Sequence, residues 1–582
     1  MNQIDPITVE VIRNYLLSAA REMNRNLMRT AYNTIVYEVR DFGLGLYDRH
    51  CRLLAEAPGL AIFTRANDYA LGKIVEFLGE DNIHPGDVIL LNYPFWSSTH
   101  TLDVTASSPI FYENQLVGFT AVKIHWLDLD QKDPGYCLDT TDMHQEGLFF
   151  PCSKIYKRGK LNKELENIIR FNCRMPERVL GDMNAQISSC RTGERRVQEL
   201  VKKFGLDTFT QATEHILDHG ERLARARLAT LPKGTWTAED WVDDDGIDKD
   251  TMLKIKATVT ISDDEMLVDF TGSSAAVKGP VNIPIGLTMG VGALIFKAIT
   301  TPDTPANEGN FRPLRVEAPA GSLMHAVPPA ATFTLWPGIL ATEVVTKALA
   351  QGLPDLIPAC SGGDLCSMMG VGVHPRTGKI WLESNNEGVG FGGHAGGDGE
   401  HGIMHLTEPG CQNVPIEVLE TKAPLLIEKY GLRQDSGGPG EHPGGLGVSR
   451  TYQFLAETSA LTLIKKTKTR PWGSAGGQTG ENCHVILRPG TGQEQTTGMV
   501  SAAMGAGEVL VNCSGGGGGW GNPLNRDPEK VLYDVRNEYI SLSSAERDYG
   551  VVIDPTTLTL NEAATVKLRK LRDERQAPAA AL

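Results

Sequence analysis

Histidine and aspartate residues recur at one spacing near two predicted strand ends. His100 is followed three residues later by Asp103, and His125 is followed three residues later by Asp128. Asp41 lies at the head of a further short predicted strand. Imidazole and carboxylate groups together suit Zn²⁺ and also Mn²⁺ or Fe²⁺. This spacing predicts a divalent-metal site, and the alternative is that these residues only cap and turn loops.

Two predicted strands have to position these side chains. The runs of apolar and β-branched residues at 87–92 and 116–125 are typical of buried strands. If the two strands are neighbours in one sheet, their carboxyl ends bring both imidazoles and the nearby carboxylates together. A catalytic metal site of this kind also keeps an open position for water.

The remaining patterns predict a mixed α+β chain of several domains. An amphipathic helix is expected from Asp5 to about Thr30, because Asp5 can cap it and apolar residues follow at steps of three and four. We divide the chain into an N-terminal α/β metal-binding catalytic domain at 1–232, a central α+β domain at 233–335 and a C-terminal domain at 336–582. The central domain is expected to contain a hairpin, and the C-terminal domain is rich in β-strands and Gly turns.

Composition restricts the class of protein. The 582 residues carry a net charge of −15, and 41% of them are hydrophobic. The chain is therefore expected to be globular and to bind neither nucleic acid nor a membrane. The first residues lack the pattern of a secretory signal, and ten cysteines include no CxxC pair, so a cytoplasmic location is expected. No phosphate-binding loop and no GxSxG nucleophile motif occurs.

Several longer stretches resemble the hydantoinase B/5-oxoprolinase family. They include RTAYNTIVYEVRDFG at 29–43, PGDVILLNYPFWSSTHTLDV at 85–104, SGGPGEHPGGLG at 436–447 and CSGGGGGWGNPLNRDPEKVLYDV at 513–535. The two glycine-rich runs are the most specific of these. The resemblance extends over essentially the whole chain and includes related caprolactamases and acetone and acetophenone carboxylases.

The resemblance implies a particular metal site and a particular partner. It places the metal on Asp41, His100, Asp103 and His125, with Zn²⁺ expected first and Mn²⁺ or Fe²⁺ as alternatives. It implies a separate hydantoinase A-type ATPase subunit that binds ATP-Mg, in a hetero-oligomer expected to contain two of each subunit. Asp128 and Glu146 are the candidate general bases, and Asp128 is alternatively a fifth ligand or an orienting group.

The implied activity is ATP-dependent hydrolysis of a cyclic amide such as a lactam, hydantoin or 5-oxoproline, with bicarbonate as a further candidate ligand. One alternative is a subunit of an ATP-dependent ketone carboxylase, and another is a non-catalytic assembly subunit. Phe95 and Trp126 replace smaller or polar residues of the family pattern. They are interpreted either as walls of an apolar substrate pocket or as ordinary core aromatics.

Overall fold

The computed structural model describes residues 4–576, which form two compact units. Unit 1 comprises the chain up to Ala348 together with Met369–Asn385 and Thr407–Ala423. Unit 2 comprises Leu349–Met368, Asn386–Leu406 and the chain from Pro424 onwards. The domain boundaries predicted after residues 232 and 335 both fall within unit 1. The division of this unit into smaller domains stays a prediction. The predicted α+β class with several sheets is confirmed.

Unit 1 contains ten of the α-helices in the described chain and most of its strands. The helices are α1 (Pro6–Thr30), α2 (Thr34–Tyr37), α3 (Ala61–Leu78), α4 (Pro94–Ser97), α5 (Lys163–Asn172), α6 (Pro176–Phe204), α7 (Leu206–Thr230), α8 (Ile285–Thr300), α9 (Trp336–Ala350) and α10 (Ile416–Lys422). The strands are β1 (Phe42–Asp48), β2 (Leu53–Glu56), β3 (Val88–Leu91), β4 (Asp103–Tyr112), β5 (Gln115–His125), β6 (Ser153–Lys157), β7 (Lys160–Leu161), β8 (Gly234–Val242), β9 (Leu253–Ile261), β10 (Met266–Asp269), β11 (Leu314–Glu317), β12 (Ser367–Val373) and β13 (Ile380–Asn385).

The largest sheet of unit 1 has seven strands in the order β2-β1-β5-β4-β3-β6-β7. The predicted strands at 87–92 and 116–125 exist as β3 and β5, but they are not neighbours, because β4 lies between them. That part of the prediction is wrong. The β4 sequence DVTASSPIFY contains small and polar residues and a proline, which do not give the apolar pattern of a buried strand.

Helices cover both faces of this sheet, which explains why β4 and β5 are buried. Gln186 of α6 donates hydrogen bonds to the backbone carbonyls of Val104 and Val122 on one face. Asn67 of α3 accepts a hydrogen bond from Thr105 on the other face. Side chains alternate between the faces along each strand, so Lys123 lies on the α3 side with Thr105, its partner in the β4–β5 register.

Several locally patterned elements are confirmed. Helix α1 begins after Asp5, whose carboxylate accepts the backbone N–H of Thr8 at 3.1 Å, and it ends at Thr30. The expected hairpin is formed by β9 and β10, which pair antiparallel in the four-stranded sheet β11-β10-β9-β8. Apolar residues of β9 are buried at every second position, as the alternating sequence predicts.

Unit 2 contains the later strands and helices and the glycine-rich segments. Its elements are β14 (Leu425–Leu432), β15 (Val448–Phe454), β16 (Thr458–Leu463), β17 (His484–Leu487), β18 (Gln495–Thr497), β19 (Val500–Met504), β20 (Val509–Cys513), α11 (Pro528–Arg536), α12 (Leu542–Tyr549) and α13 (Glu562–Gln576). Five of the strands form the sheet β14-β15-β20-β17-β18, and β16 pairs antiparallel with β19.

The two specific glycine-rich runs pack directly against each other in unit 2. The backbone N–H of Gly517 donates to the carbonyl of Gly445 at 2.9 Å, and that of Gly438 donates to Gly517 at 2.7 Å. A Cβ atom on Gly517 would lie 1.9 Å from the carbonyl oxygen of Phe391. Glycine is therefore required there for close backbone packing.

Candidate metal centre

Three strand ends meet at one point of the seven-stranded sheet. Asp103 begins β4 and lies directly opposite His125, the last residue of β5. Asp41 immediately precedes β1, and its carbonyl oxygen accepts the backbone N–H of His125 at 3.4 Å. His100 lies in the turn that leads into β4. Antiparallel register, rather than two neighbouring carboxyl ends, therefore brings His100, Asp103 and His125 together. Asp41 adjoins them through its backbone contact with His125 and is not part of the group of three.

His100, Asp103 and His125 offer ligand atoms that all lie within 4.8 Å of one another. Asp103 is central, with one oxygen 3.4 Å from His100 Nε2 and the other 3.4 Å from His125 Nδ1. The two imidazole rings meet edge to face at a centroid distance of 5.0 Å. Among the side chains that the structure describes, no other group of three or more such residues is found.

Several polar atoms of this cluster are buried without a hydrogen bond. They are both carboxylate oxygens of Asp103, both ring nitrogens of His125 and Oδ1 of Asp41. Buried polar atoms without partners are costly and uncommon in folded proteins. A cation bound among them would satisfy these atoms, and nitrogen plus carboxylate oxygen is a donor set that suits Zn²⁺, Mn²⁺ or Fe²⁺. The residues present therefore fit a divalent metal.

Burial and neighbouring charges set the protonation of the cluster. Burial lowers the pKa of His100 to about 3, so its ring is neutral near pH 7. Burial raises the pKa of Asp103, but His100 and His125 lower it further than that, so Asp103 is an anion. Desolvation raises the pKa of Asp41 to about 7. The nearby charge of Asp103 also raises this pKa, whereas His125 lowers it. Asp41 therefore loses a proton near neutral pH.

The His100 ring has a defined orientation. Its Nδ1 accepts the backbone N–H of Leu102 at 3.2 Å. Because a neutral imidazole carries one proton, this contact places the proton on Nε2. A cation that binds Nε2 has to shift this proton to Nδ1, with relaxation of the Leu102 contact.

A buried lysine supports the turn that carries His100. Lys123 lies two residues before His125 on the same strand and is 0% exposed. Its ammonium donates to the carbonyl of Ser97 and to Thr99 Oγ1, the latter at 3.0 Å. Burial lowers the pKa of Lys123 to about 7, and Asp103 opposes this shift. The sequence signal is a single lysine in a strand that is mostly apolar, and it did not enter the prediction of the site.

Two aromatic side chains from loops cover the imidazoles, and both were missed by sequence reasoning. The Tyr136 ring stacks on His125 at 5.4 Å, and its hydroxyl lies 3.1 Å from His100 Nε2. Phe333 packs against both His100 and Tyr136, at centroid distances of 5.7 Å and 5.2 Å. Burial raises the pKa of Tyr136 well above its usual range, so the phenol stays protonated.

Comparison with known proteins identifies the family. Residues 5–523 match the Hydantoinase B/oxoprolinase family. The chain belongs to this family. It is 32% identical to the B-type subunit of a proposed D-/L-hydantoinase of Pseudomonas sp. strain NS671, over 98% of this chain and 99% of the relative.

The family likeness extends to solved structures. The chain is 31% identical to the beta subunit of the caprolactamase of Pseudomonas jessenii, over 97% of this chain and 99% of the relative. A crystal structure of the ATP-dependent caprolactamase from that organism has a TM-score of 0.89 and 28% identity, with coverage of 98% of this chain and 100% of that one. A nucleotide-free acetone carboxylase has a TM-score of 0.90 over 99% of this chain and 84% of that one, at 19% identity, which shows a shared fold.

Asp128 of this hydantoinase B family member has both carboxylate oxygens engaged. Oδ1 accepts from the Arg174 guanidinium at 3.0 Å, and Oδ2 accepts the backbone N–H of Met175 at 2.8 Å. Met175 directly precedes α6. These contacts favour a role for Asp128 in holding the start of α6, and its predicted role as a base or ligand stays a prediction.

Glu146 holds the segment that carries Phe333. Its oxygens accept hydrogen bonds from the backbone N–H groups of Thr332 and Phe333 and from the Thr140 hydroxyl, at 2.9 to 3.1 Å. Burial raises the pKa of Glu146 to about 8, and these hydrogen bonds oppose the shift. The contacts favour a positioning role, and the predicted role as a general base stays a prediction.

Phe95 and Trp126, the two large apolar residues that differ from the family pattern, have different surroundings. Trp126 is 0% exposed, and its Nε1 donates to Gln186 of α6 at 2.9 Å. It is therefore a core aromatic. Phe95 packs instead in a cluster with Met143 and Ala326 that includes the partly exposed Tyr93 and Trp96.

Proposed function

We propose that this chain is the metal-binding subunit of an ATP-dependent hydrolase of cyclic amides, which acts together with an ATPase partner. Family membership and the similarity to the caprolactamase subunit support this reaction class. The observation that supports the site is the buried imidazole–carboxylate cluster, in which the carboxylate oxygens of Asp103 and the ring nitrogens of His125 lack hydrogen bonds.

The residues assigned to the metal are Asp41, His100, Asp103 and His125. The neutral His100 ring and the anionic Asp103 suit a divalent cation, and Zn²⁺ is proposed first, with Mn²⁺ or Fe²⁺ as alternatives. When bound, such a cation supplies Lewis acidity toward a substrate oxygen. Lys123 holds the turn before His100, and Tyr136 and Phe333 fix the planes of the imidazoles.

The partner is proposed to be a hydantoinase A-type subunit that binds ATP-Mg. The chain has no phosphate-binding loop, and two of its relatives are named as the B-type or beta subunits of their enzymes. Opening an unstrained amide ring is poorly favoured, so coupling to ATP makes chemical sense. An assembly of two copies of each subunit and a role for bicarbonate belong to the same proposal.

The central experiment is co-expression of this chain with an A-type subunit, followed by a screen of lactams, hydantoins, 5-oxoproline and ketones in which ATP and bicarbonate are varied. His100→Ala is expected to lose the metal, measured by elemental analysis, and to abolish ring opening while ATP binding by the partner continues. His144→Ala is the matched control, since the His144 side chain is 71% exposed and pairs only with Asp142 among its charged neighbours. Full turnover by the His100 variant would refute the proposal.

The same assay separates the alternative functions. If a ketone is the substrate and label from bicarbonate is incorporated into the product, the enzyme is a carboxylase instead. A wild-type assembly that contains no metal and opens no ring would favour the non-catalytic assembly role.

A further inference from the structure

The three clustered side chains of the candidate metal centre are buried, and two of their neighbours are partly exposed. His100, Asp103 and His125 are at most 2% exposed. Asp41 and Tyr136 are the partly exposed members of the same cluster. Tyr136 is therefore a partly exposed side chain that contacts both histidines.

The Tyr136 hydroxyl has a hydrogen available for such a molecule. Without a cation, His100 Nδ1 accepts from Leu102, so Nε2 carries the proton and donates to the Tyr136 oxygen at 3.1 Å. The phenolic hydrogen is not used in this contact. A cation on Nε2 would occupy its lone pair, so Nε2 would not accept the phenolic hydrogen in that state either. Within the described part of the chain, no acceptor is found for it. A largely enclosed hydroxyl of this kind favours a ligand that presents an oxygen acceptor.

The position of Tyr136 is firmly fixed. Its ring stacks nearly parallel on His125, with an interplanar angle of 10°, and meets His100 edge to face at 5.4 Å. Phe333 packs on its edge, and Glu146 holds the backbone of Phe333. The preceding Gly135 has a φ of 83°, which suits glycine. A donor held this rigidly needs little reorganisation when charge develops on the oxygen that it faces.

We infer that Tyr136 is a catalytic residue whose hydroxyl donates a hydrogen bond to the ring amide oxygen of the substrate. This inference rests on the proposed function, since it takes the substrate to be a cyclic amide at this site. The hydrogen bond strengthens as negative charge grows on that oxygen. Tyr136 thus adds a neutral donor to the charge stabilisation that the metal centre provides.

The test is Tyr136→Phe in the assembled enzyme, with Tyr93→Phe as the control. Tyr93 packs in the aromatic cluster around Phe95 and Trp96, and its ring is also partly exposed. Tyr136→Phe is expected to keep its metal content and its thermal unfolding midpoint. Its kcat is expected to fall about 100- to 1,000-fold, as for loss of one oxyanion donor, with a smaller change in KM. Tyr93→Phe is expected to match the wild type.

A second measurement does not depend on turnover. The chain is loaded with Co²⁺, and ε-caprolactam is titrated while the visible absorption is recorded. Half-saturation is expected at about tenfold higher lactam in the Tyr136 variant, because one hydrogen bond is lost. Unchanged kcat and unchanged titration, or loss of the metal from the variant, would overturn the inference. A wild-type chain that binds no cation would instead refute the proposed function, before any variant is compared.

Discussion

The pH dependence of metal binding follows from the protonation of Asp41. Its pKa of about 7 means that the metal-free chain holds a proton on this carboxyl at acidic pH, and a cation has to displace it. His100, with a pKa of about 3, adds no step between pH 5 and 7. Raising the pH to 7 should therefore tighten metal binding, and the affinity should level off above that pH.

The magnitude follows from one displaced proton. Each pH unit below about 7 should weaken binding tenfold, so the change from pH 7 to pH 5 should be about 100-fold, or about 3 kcal/mol. In Asp41→Asn this carboxyl proton is absent. The variant should bind more weakly at pH 8 and lose most of the dependence on pH.

Competition with a chromophoric chelator for Zn²⁺ would measure the dissociation constant across this range. Calorimetry in two buffers of different ionisation enthalpy would count the protons released at pH 6. Asp139→Asn is the control, because Asp139 pairs with Lys132 on the surface at 2.7 Å. A wild-type affinity that is flat from pH 5 to 7, or an unchanged slope in Asp41→Asn, would refute the assignment of the proton to Asp41.

Two further predictions concern stability. Gln186→Leu should lower the free energy of unfolding by about 2 to 4 kcal/mol in denaturant titrations, because the buried Trp126 indole N–H and two strand carbonyls lose their partner; a change below about 0.5 kcal/mol would contradict this. Arg450→Met should lower the free energy of unfolding by about 3 to 5 kcal/mol, because Arg450 lies 3.2 Å from the fully buried carboxylate of Glu387. Arg488 is more exposed, so Arg488→Met should lower it by less than about 1 kcal/mol. Equal costs for the two arginine variants would show that burial does not decide the effect.

The sequence predicts the elements whose patterns are local. Helix α1 has its cap, its first-turn proline and its apolar spacing within 25 residues, so no distant contact is needed to recognise it. The β9–β10 hairpin can be recognised in the same way, because apolar and polar residues alternate in its first strand and a charged turn follows. In both cases the signal lies within one or two elements.

The site is a different case. Its four proposed metal residues could be chosen from residue types and from the resemblance, but the two strands expected to be neighbours are separated by β4. Strand β4 is buried because α3 and α6 cover both faces of the sheet. Its serine and threonine residues do not form an apolar pattern, so its burial could not be predicted from the sequence. Tyr136 and Phe333 come from loops separated by almost 200 positions, and no periodic pattern links them. Their contact depends on tertiary packing.

The charges around the cluster partly compensate one another. Asp103 is the buried anion, and Lys123, whose pKa of about 7 keeps it partly charged, lies on the same face of the sheet beside it. Asp41 holds its proton up to about pH 7, so a second negative charge is avoided in the metal-free chain. A divalent cation would exchange that proton for two positive charges and make both carboxylates anionic. We therefore expect cation binding to release the Asp41 proton and pH to control occupancy through this carboxyl group.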